Sequence, residues 1–138
     1  RFLQPEIDPE TLTVVPAVTL STAEESLLPR TWIALLRGRL RASLAANTGV
    51  ESATDLVKYL LAGADVVMTA SALLRHGPDH AGVLLDGLCE WMGRKGFTSV
   101  DDVRGLLAVA GGADETARQR GGYVSALHEA NTTAYGSW

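Results

Sequence analysis

Between Arg41 and Gly77 the chain carries the pattern of one strand–helix–strand unit, and no other stretch limits its fold as tightly. Arg41-Ala-Ser-Leu-Ala-Ala46 is a short run of small, mostly apolar residues, and Asn47-Thr-Gly-Val50 punctuates it as a turn. Ser52-Ala-Thr-Asp55 then reads as a capping box, with the serine oxygen accepting from a first-turn amide and the aspartate reaching back. Behind it, Ala53, Leu56, Val57, Leu60 and Leu61 recur at the three- and four-residue spacing of one amphipathic stripe. Gly63 stands where a left-handed cap ends such a helix. Ala64-Asp-Val-Val-Met-Thr-Ala70 follows, apolar and β-branched with little alternation, as parallel strands covered on both faces read. A βαβ unit spans roughly this length, about 30 residues.

The flanks extend the pattern. Upstream, Thr11 to Leu20 has strand propensity, but Pro16 excludes a regular central strand. Two short strands, or an edge segment leading to a strand at 17–20, are expected there. Leu28-Pro29 opens a helix to about Gly38 with Trp32, Leu35 and Leu36 inward. Downstream, Pro78 starts a helix on which Ala81, Leu84, Leu85, Leu88 and Met92 share a face, ending at Gly96 after Arg94 and Lys95. Ser99 and Asp102 form a second capping box ahead of Val100, Val103, Leu106 and Leu107. Gly111-Gly112 breaks the chain, a polar helix is expected from Asp114 to about Asn131 despite Gly121-Gly122, and the remainder reads as a tail. The order β, α, β, α, β, α, with added helices, is an α/β pattern with parallel strands.

Composition narrows the partners. The 46% hydrophobic and 20% charged content of 138 residues is that of one globular domain. Twelve basic against sixteen acidic side chains argue against nucleic acid as a partner. No uncharged run reaches the roughly 18 residues of a membrane span. The single Cys89 excludes an internal disulfide and fits a reducing compartment, so a cytoplasmic protein is expected. The first residue is Arg1, and no signal-peptide pattern follows it, so a piece of something longer is expected.

In α/β folds ligands bind beyond the carboxyl ends of the strands, which draws attention to the loops after Ala46 and Ala70. The first, Asn47 to Val50, leads into a helix whose free amides and dipole would favour an anion. The second, Thr69-Ala-Ser-Ala72, offers hydroxyls and small residues that let backbone amides approach a phosphate. Neighbouring loops of this kind match the phosphate site that many (β/α)8 barrels build late in the chain. The plainer alternative makes Gly49 a turn glycine and Ser71 a helix cap. Neither G-x-G-x-x-G nor a P-loop pattern occurs. His76 lies near the same rim, as a loop or a ligand-facing residue. His80 and His128 lack partners at metal spacing, so no metal site is expected. Cys89 reads as a buried structural thiol, Arg37, Arg39 and Arg41 as a solvated helix end. Asp55 and Asp65 read as a helix cap and a strand-start acid, too far apart for a catalytic pair.

Several of these segments together resemble a family. Ala45-Ala-Asn-Thr-Gly-Val50, Leu61-Ala-Gly-Ala-Asp-Val-Val-Met68, Ser71-Ala-Leu73, His76-Gly-Pro78 and Gly96-Phe-Thr-Ser-Val100 resemble, in order, the C-terminal end of dihydroorotate dehydrogenases, in particular the dihydroorotate-dehydrogenase-like group. Arg1-Phe-Leu-Gln-Pro-Glu-Ile-Asp8 is similar to their central segment. The resemblance implies the C-terminal portion of a TIM (β/α)8 barrel over residues 1–107, with a helical extension and tail over 108–138.

It also implies FMN as cofactor. Thr48 and Gly49 would stand where amides hold the FMN phosphate after strand seven, and Ala70 and Ser71 at the matching positions after strand eight. Thr48 and Ala70 replace family glycines, so a backbone contact there requires both to avoid positive φ. Leu20 to Ala23 would stand where the family often has a glycine-rich loop at the cofactor. The family oxidises dihydroorotate to orotate, in pyrimidine biosynthesis, with a cysteine or serine base and hydride transfer to the flavin. By the resemblance that base precedes Arg1, Cys89 does not match it, and no catalytic residue is expected in this chain. Alone it would be inactive, requiring the N-terminal barrel half or association with its own kind. The competing expectation is a stand-alone α/β module that binds a phosphorylated ligand or a protein partner, without redox activity.

Overall fold

In a computed structural model, which describes residues 4–17, 19–109, 121–126 and 128–129, the Arg41–Gly77 stretch forms the expected strand–helix–strand unit. Its strands are two residues long, however, Val66 and Met68 are exposed rather than covered, and an unexpected short helix follows at Ser71–His76. The element order is β1 (Gln4–Asp8), β2 (Thr13–Ala17), a 3-10 turn (Ala23–Ser26), α1 (Leu27–Leu36), β3 (Ala45–Ala46), α2 (Ala53–Ala62), β4 (Val66–Val67), α3 (Ser71–His76), α4 (His80–Lys95) and α5 (Val100–Val103). Strands β3 and β4 pair in parallel, Ala45 opposite Val66 and Ala46 opposite Val67, with α2 as the crossover. The Ser52–Asp55 capping box starts α2, and Gly63 at φ +115 ends it. The fold is α/β.

Alternation along the short strands sorts their faces. Ala46 is buried and Val67 packs against the same cluster, whereas Ala45, Val66 and Met68 are exposed. One core cluster joins Ile33, Ala46, Val50, Tyr59 and Leu84, and a second joins Val57, Leu60, Leu88 and Val103. Helix α2 lies between α1 and α4, which is why it buries Tyr59 and Ala62 beyond the single stripe its periodicity suggests. The approach of α4 is close: a Cβ on Gly87 would stand 2.5 Å from that of Ala53.

Several expectations are corrected. The first parallel strand, expected at 17–20, is not formed: Thr19 and Leu20 are irregular, and β2 instead pairs antiparallel with β1, Pro16 opposite Pro5. A two-stranded hairpin has only edge strands, where a missing N–H is tolerated. In α1 Ile33 is buried and Trp32 is 55% exposed. In α4 Leu84 and Leu88 face inward while Leu85 is 58% exposed, and Ala81 and Cys89 are exposed as well. Helix α5 stops at Val103, before Gly105 at φ +77, which leaves Leu106 and Leu107 exposed rather than packed.

The amino ends of β3 and β4 are locked by one carboxylate. Asp65 accepts from Arg37 Nη1 at 2.8 Å through both oxygens and from the Leu44 amide at 2.8 Å. Arg37 is therefore a buttress of the sheet, not a solvated helix end. Residues 1–108 and 109–138 form separate units. In the second, residues 121–126 and 128–129 are helical, Gly121-Gly122 included, and the rest of the expected polar helix and the tail lie outside the described residues. Among the described residues no helix is long and apolar enough to cross a membrane.

Candidate functional site

Parallel strands end on the same side, so the segments after β3 and β4 meet. The Met68 amide donates to the Ala46 carbonyl at 2.9 Å, and the Thr69 hydroxyl to the Val50 carbonyl at 2.8 Å. Between these tied segments lies a cavity of about 110 Å³ lined by 47–50, 68–71 and Ser21. Thr48, Gly49, Ala70 and Ser71, singled out in the sequence, all line it.

The first loop is strained. Thr48 has φ +82 and Gly49 φ +70, while Ala70 has φ −129. The requirement that Thr48 avoid positive φ is thus not met, although a β-branched residue there costs on the order of 1–3 kcal/mol. The reason lies on α2. The fully buried Tyr59 donates its hydroxyl to the carbonyls of Asn47 at 3.0 Å and Thr48 at 2.8 Å. Burial raises the Tyr59 phenol above its ordinary value, which keeps it a donor. The Thr48 amide is taken by Asn47 Oδ1 at 2.7 Å, so of the expected pair only the Gly49 amide lacks a partner among the described residues. Gly49 also has no room for a side chain, since a Cβ would stand 2.6 Å from the Thr22 carbonyl oxygen.

On the opposite wall, Ser71 Oγ accepts from the Ser21 amide at 3.0 Å and the Ser21 hydroxyl at 2.8 Å. Its own proton remains to donate. No charged side chain lines the cavity among the described residues. The α2 end expected to hold an anion does not line the cavity; there Ser52 Oγ accepts from the Asp55 amide, and Asp55 Oδ2 accepts from the Ser52 amide and hydroxyl.

Behind the Ser21 wall, Arg75 Nη1 donates to the Ser21 carbonyl at 2.9 Å and to Glu51 at 2.6 Å. His76 Nε2 lies 2.6 Å from the other Glu51 oxygen, and His80 Nε2 lies 2.9 Å from the Glu51 carbonyl. His76 therefore faces Glu51 rather than the cavity, and His80 is a half-buried partner of that segment, not a solvated residue. The His76 contact, then Arg75, hold Glu51 below the ordinary carboxylate range. Cys89, expected to be buried, is exposed on α4. Among the described residues no group of three or more His, Cys, Asp or Glu is placed to hold a metal ion.

Sequence reading missed Tyr59, passed over because it lies off the leucine stripe. A signal was present: a tyrosine on the helix following the turn needs an acceptor for its hydroxyl when buried.

No family model matches the chain. An Aeropyrum pernix protein assigned as dihydroorotate dehydrogenase A (fumarate) is 35% identical over 68 residues, 49% of this chain and 22% of that protein. The dihydroorotate dehydrogenase (fumarate) of Trypanosoma cruzi is 40% identical over 59 residues, 43% of this chain and 19% of its own length. Among solved structures, DHODH from Eimeria tenella with ferulenol superposes over 75% of this chain and 29% of its own, with TM-score 0.54 and 23% identity. The ligand-free type from the same organism gives TM-score 0.57 at 21% identity, over 75% of this chain and 30% of its own. The chain thus spans about a fifth of the curated relatives it matches.

Proposed function

We propose that this chain, a partial homologue of the dihydroorotate dehydrogenases, is the C-terminal portion of a (β/α)8-barrel flavoprotein and contributes the site for the FMN phosphate. One juxtaposition supports the reading above all: Thr48–Gly49 and Ala70–Ser71 line one cavity beyond the carboxyl ends of adjacent parallel strands, where such folds bind ligands. The donors suit a phosphate. The Gly49 amide and the Ser71 hydroxyl are available, no carboxylate lines the walls among the described residues, and about 110 Å³ is scaled to a phosphate group rather than to a flavin ring. Thr48 serves through its carbonyl and its φ, and Ala70 by its small size.

When bound, FMN supplies hydride-accepting chemistry, while this chain's residues hold and orient its phosphate. In this reading residues 1–107 belong to the barrel and 108–138 to an extension. The substrate is dihydroorotate or a related compound, the remaining strands come from the N-terminal half or a second copy, and the lone unpaired Cys89 suits a cytoplasmic protein.

Titration of the full chain with FMN and with riboflavin, followed by flavin fluorescence, tests the assignment. FMN is expected to bind at least about tenfold tighter than riboflavin, since a charge-assisted donor pair contributes about 1.5 kcal/mol or more. Gly49→Asp abolishes that preference and Ser71→Ala reduces it severalfold. Equal affinity for both flavins, or an unchanged preference in both variants, rejects the phosphate site. Uptake of inorganic phosphate without preference for FMN would instead favour a phosphate-binding module without redox chemistry.

A further inference from the structure

Tyr59 joins two features of the cavity wall, a strained threonine and an unpartnered amide. A trans peptide points its carbonyl and the following N–H in opposite directions. Drawing the Asn47 and Thr48 carbonyls toward α2, as the Tyr59 hydroxyl does at 3.0 and 2.8 Å, therefore turns the Thr48 and Gly49 amides away from that helix. Asn47 Oδ1 takes the first of these at 2.7 Å, which leaves the Gly49 amide as the free one of the two. Among the described residues no other donor reaches either carbonyl, so the single phenolic proton is shared between them. Without it, two carbonyls lose their partner, and threonine at φ +82 has no reason to remain in a region its Cβ disfavours.

We propose that Tyr59 is a positioning residue, whose hydroxyl holds Thr48 left-handed and so aims the Gly49 amide at the anionic group of a ligand. The identity of that ligand rests on the FMN-phosphate reading; the geometry does not. Threonine in place of glycine at position 48 makes the hold necessary, because glycine takes positive φ unaided.

Three variants of the full chain test this: Tyr59→Phe, Thr48→Gly and the two combined. Without ligand, the three-bond HN–Hα coupling and carbon shifts of Thr48 report its φ. They are expected to show positive φ in the wild type and a shift to negative φ in Tyr59→Phe. FMN affinity is expected to fall about tenfold or more when Tyr59→Phe is made in the wild type, and to fall about twofold or less when Tyr59→Phe is added to Thr48→Gly. A left-handed Thr48 retained in Tyr59→Phe overturns the proposal. So does an equal loss of affinity in both backgrounds, the mark of a merely structural tyrosine. Failure of wild type to bind FMN rejects the flavin reading, while the Thr48 coupling still decides the role of Tyr59. Should Tyr59→Phe not fold, recovery of folding in the combined variant supports the hold, and continued failure overturns it.

Discussion

Asp65 and Tyr59 stand at opposite ends of the parallel pair and divide its tasks. Tyr59 shapes the loop at the carboxyl end. Asp65 binds the end of α1, through Arg37, to the residue preceding β3, through the Leu44 amide. Hydrogen bonds from Leu44 and then Arg37 outweigh burial and hold the Asp65 carboxyl below its ordinary value of 3.8. A group with a depressed folded value contributes stability above its unfolded value and loses it as pH falls through the folded one. Asp65→Asn is therefore expected to cost about 1–3 kcal/mol at neutral pH, with a gap to wild type that narrows as pH drops below 3.8. Urea denaturation of both proteins at neutral pH and in acid reads this directly. A gap of constant size would mean that the carboxylate charge is not what locks the strands.

At the scale of elements, the close crossing of α2 and α4 sets the breadth of the core. Alanine is a better helix former than glycine by about 1 kcal/mol, so on propensity alone Gly87→Ala would stabilise α4. The 2.5 Å approach to the Ala53 Cβ predicts the opposite. The helices must separate, and overpacking costs about 1–3 kcal/mol. Destabilisation by Gly87→Ala, partly relieved by adding Ala53→Gly, is the expected result in urea titrations. A stabilised Gly87→Ala variant would show that the helices do not meet there. The unit around this crossing was largely legible in the sequence because its punctuation is local: the Ser52–Asp55 box and Gly63 mark both ends of α2, and the bilaterally apolar 64–70 run marks the strand. Helix phase was less legible. Trp32-Ile-Ala-Leu-Leu36 is apolar without interruption, so periodicity alone does not choose between Trp32 and Ile33 as the buried residue. Six-residue α3 is too short to show a period. The β1–β2 pairing depends on a partner several residues away, which the propensity of 11–20 does not specify. At the site, the loop residues could be read because small residues and hydroxyls cluster there. The left-handed Thr48 could not, because its cause is a side chain on the following helix.

The same alternation that buries Ala46 leaves a problem for the molecule as a whole. The face of the β3–β4 pair turned from α2 carries Ala45, Val66 and Met68, with Val66 54% and Met68 46% exposed. Both outer edges of the pair are unpaired among the described residues. Parallel sheets are stable when both faces are covered, and free edges recruit further strands. The hairpin repeats the theme, since Ile7 and Val14 stand opposite each other and both are exposed. Isolated, the chain is therefore expected to self-associate or to bind the remaining strands of a barrel supplied separately. Light scattering coupled to size exclusion should give a mass above 14.6 kDa at micromolar concentration. Val66→Lys combined with Met68→Lys should shift the chain toward monomer by placing charge on that face without touching the helix-covered side. A wild-type chain that elutes at monomer mass and melts in one cooperative transition would mean that two strands and one covered face suffice. The barrel context would then no longer be needed to explain this sequence.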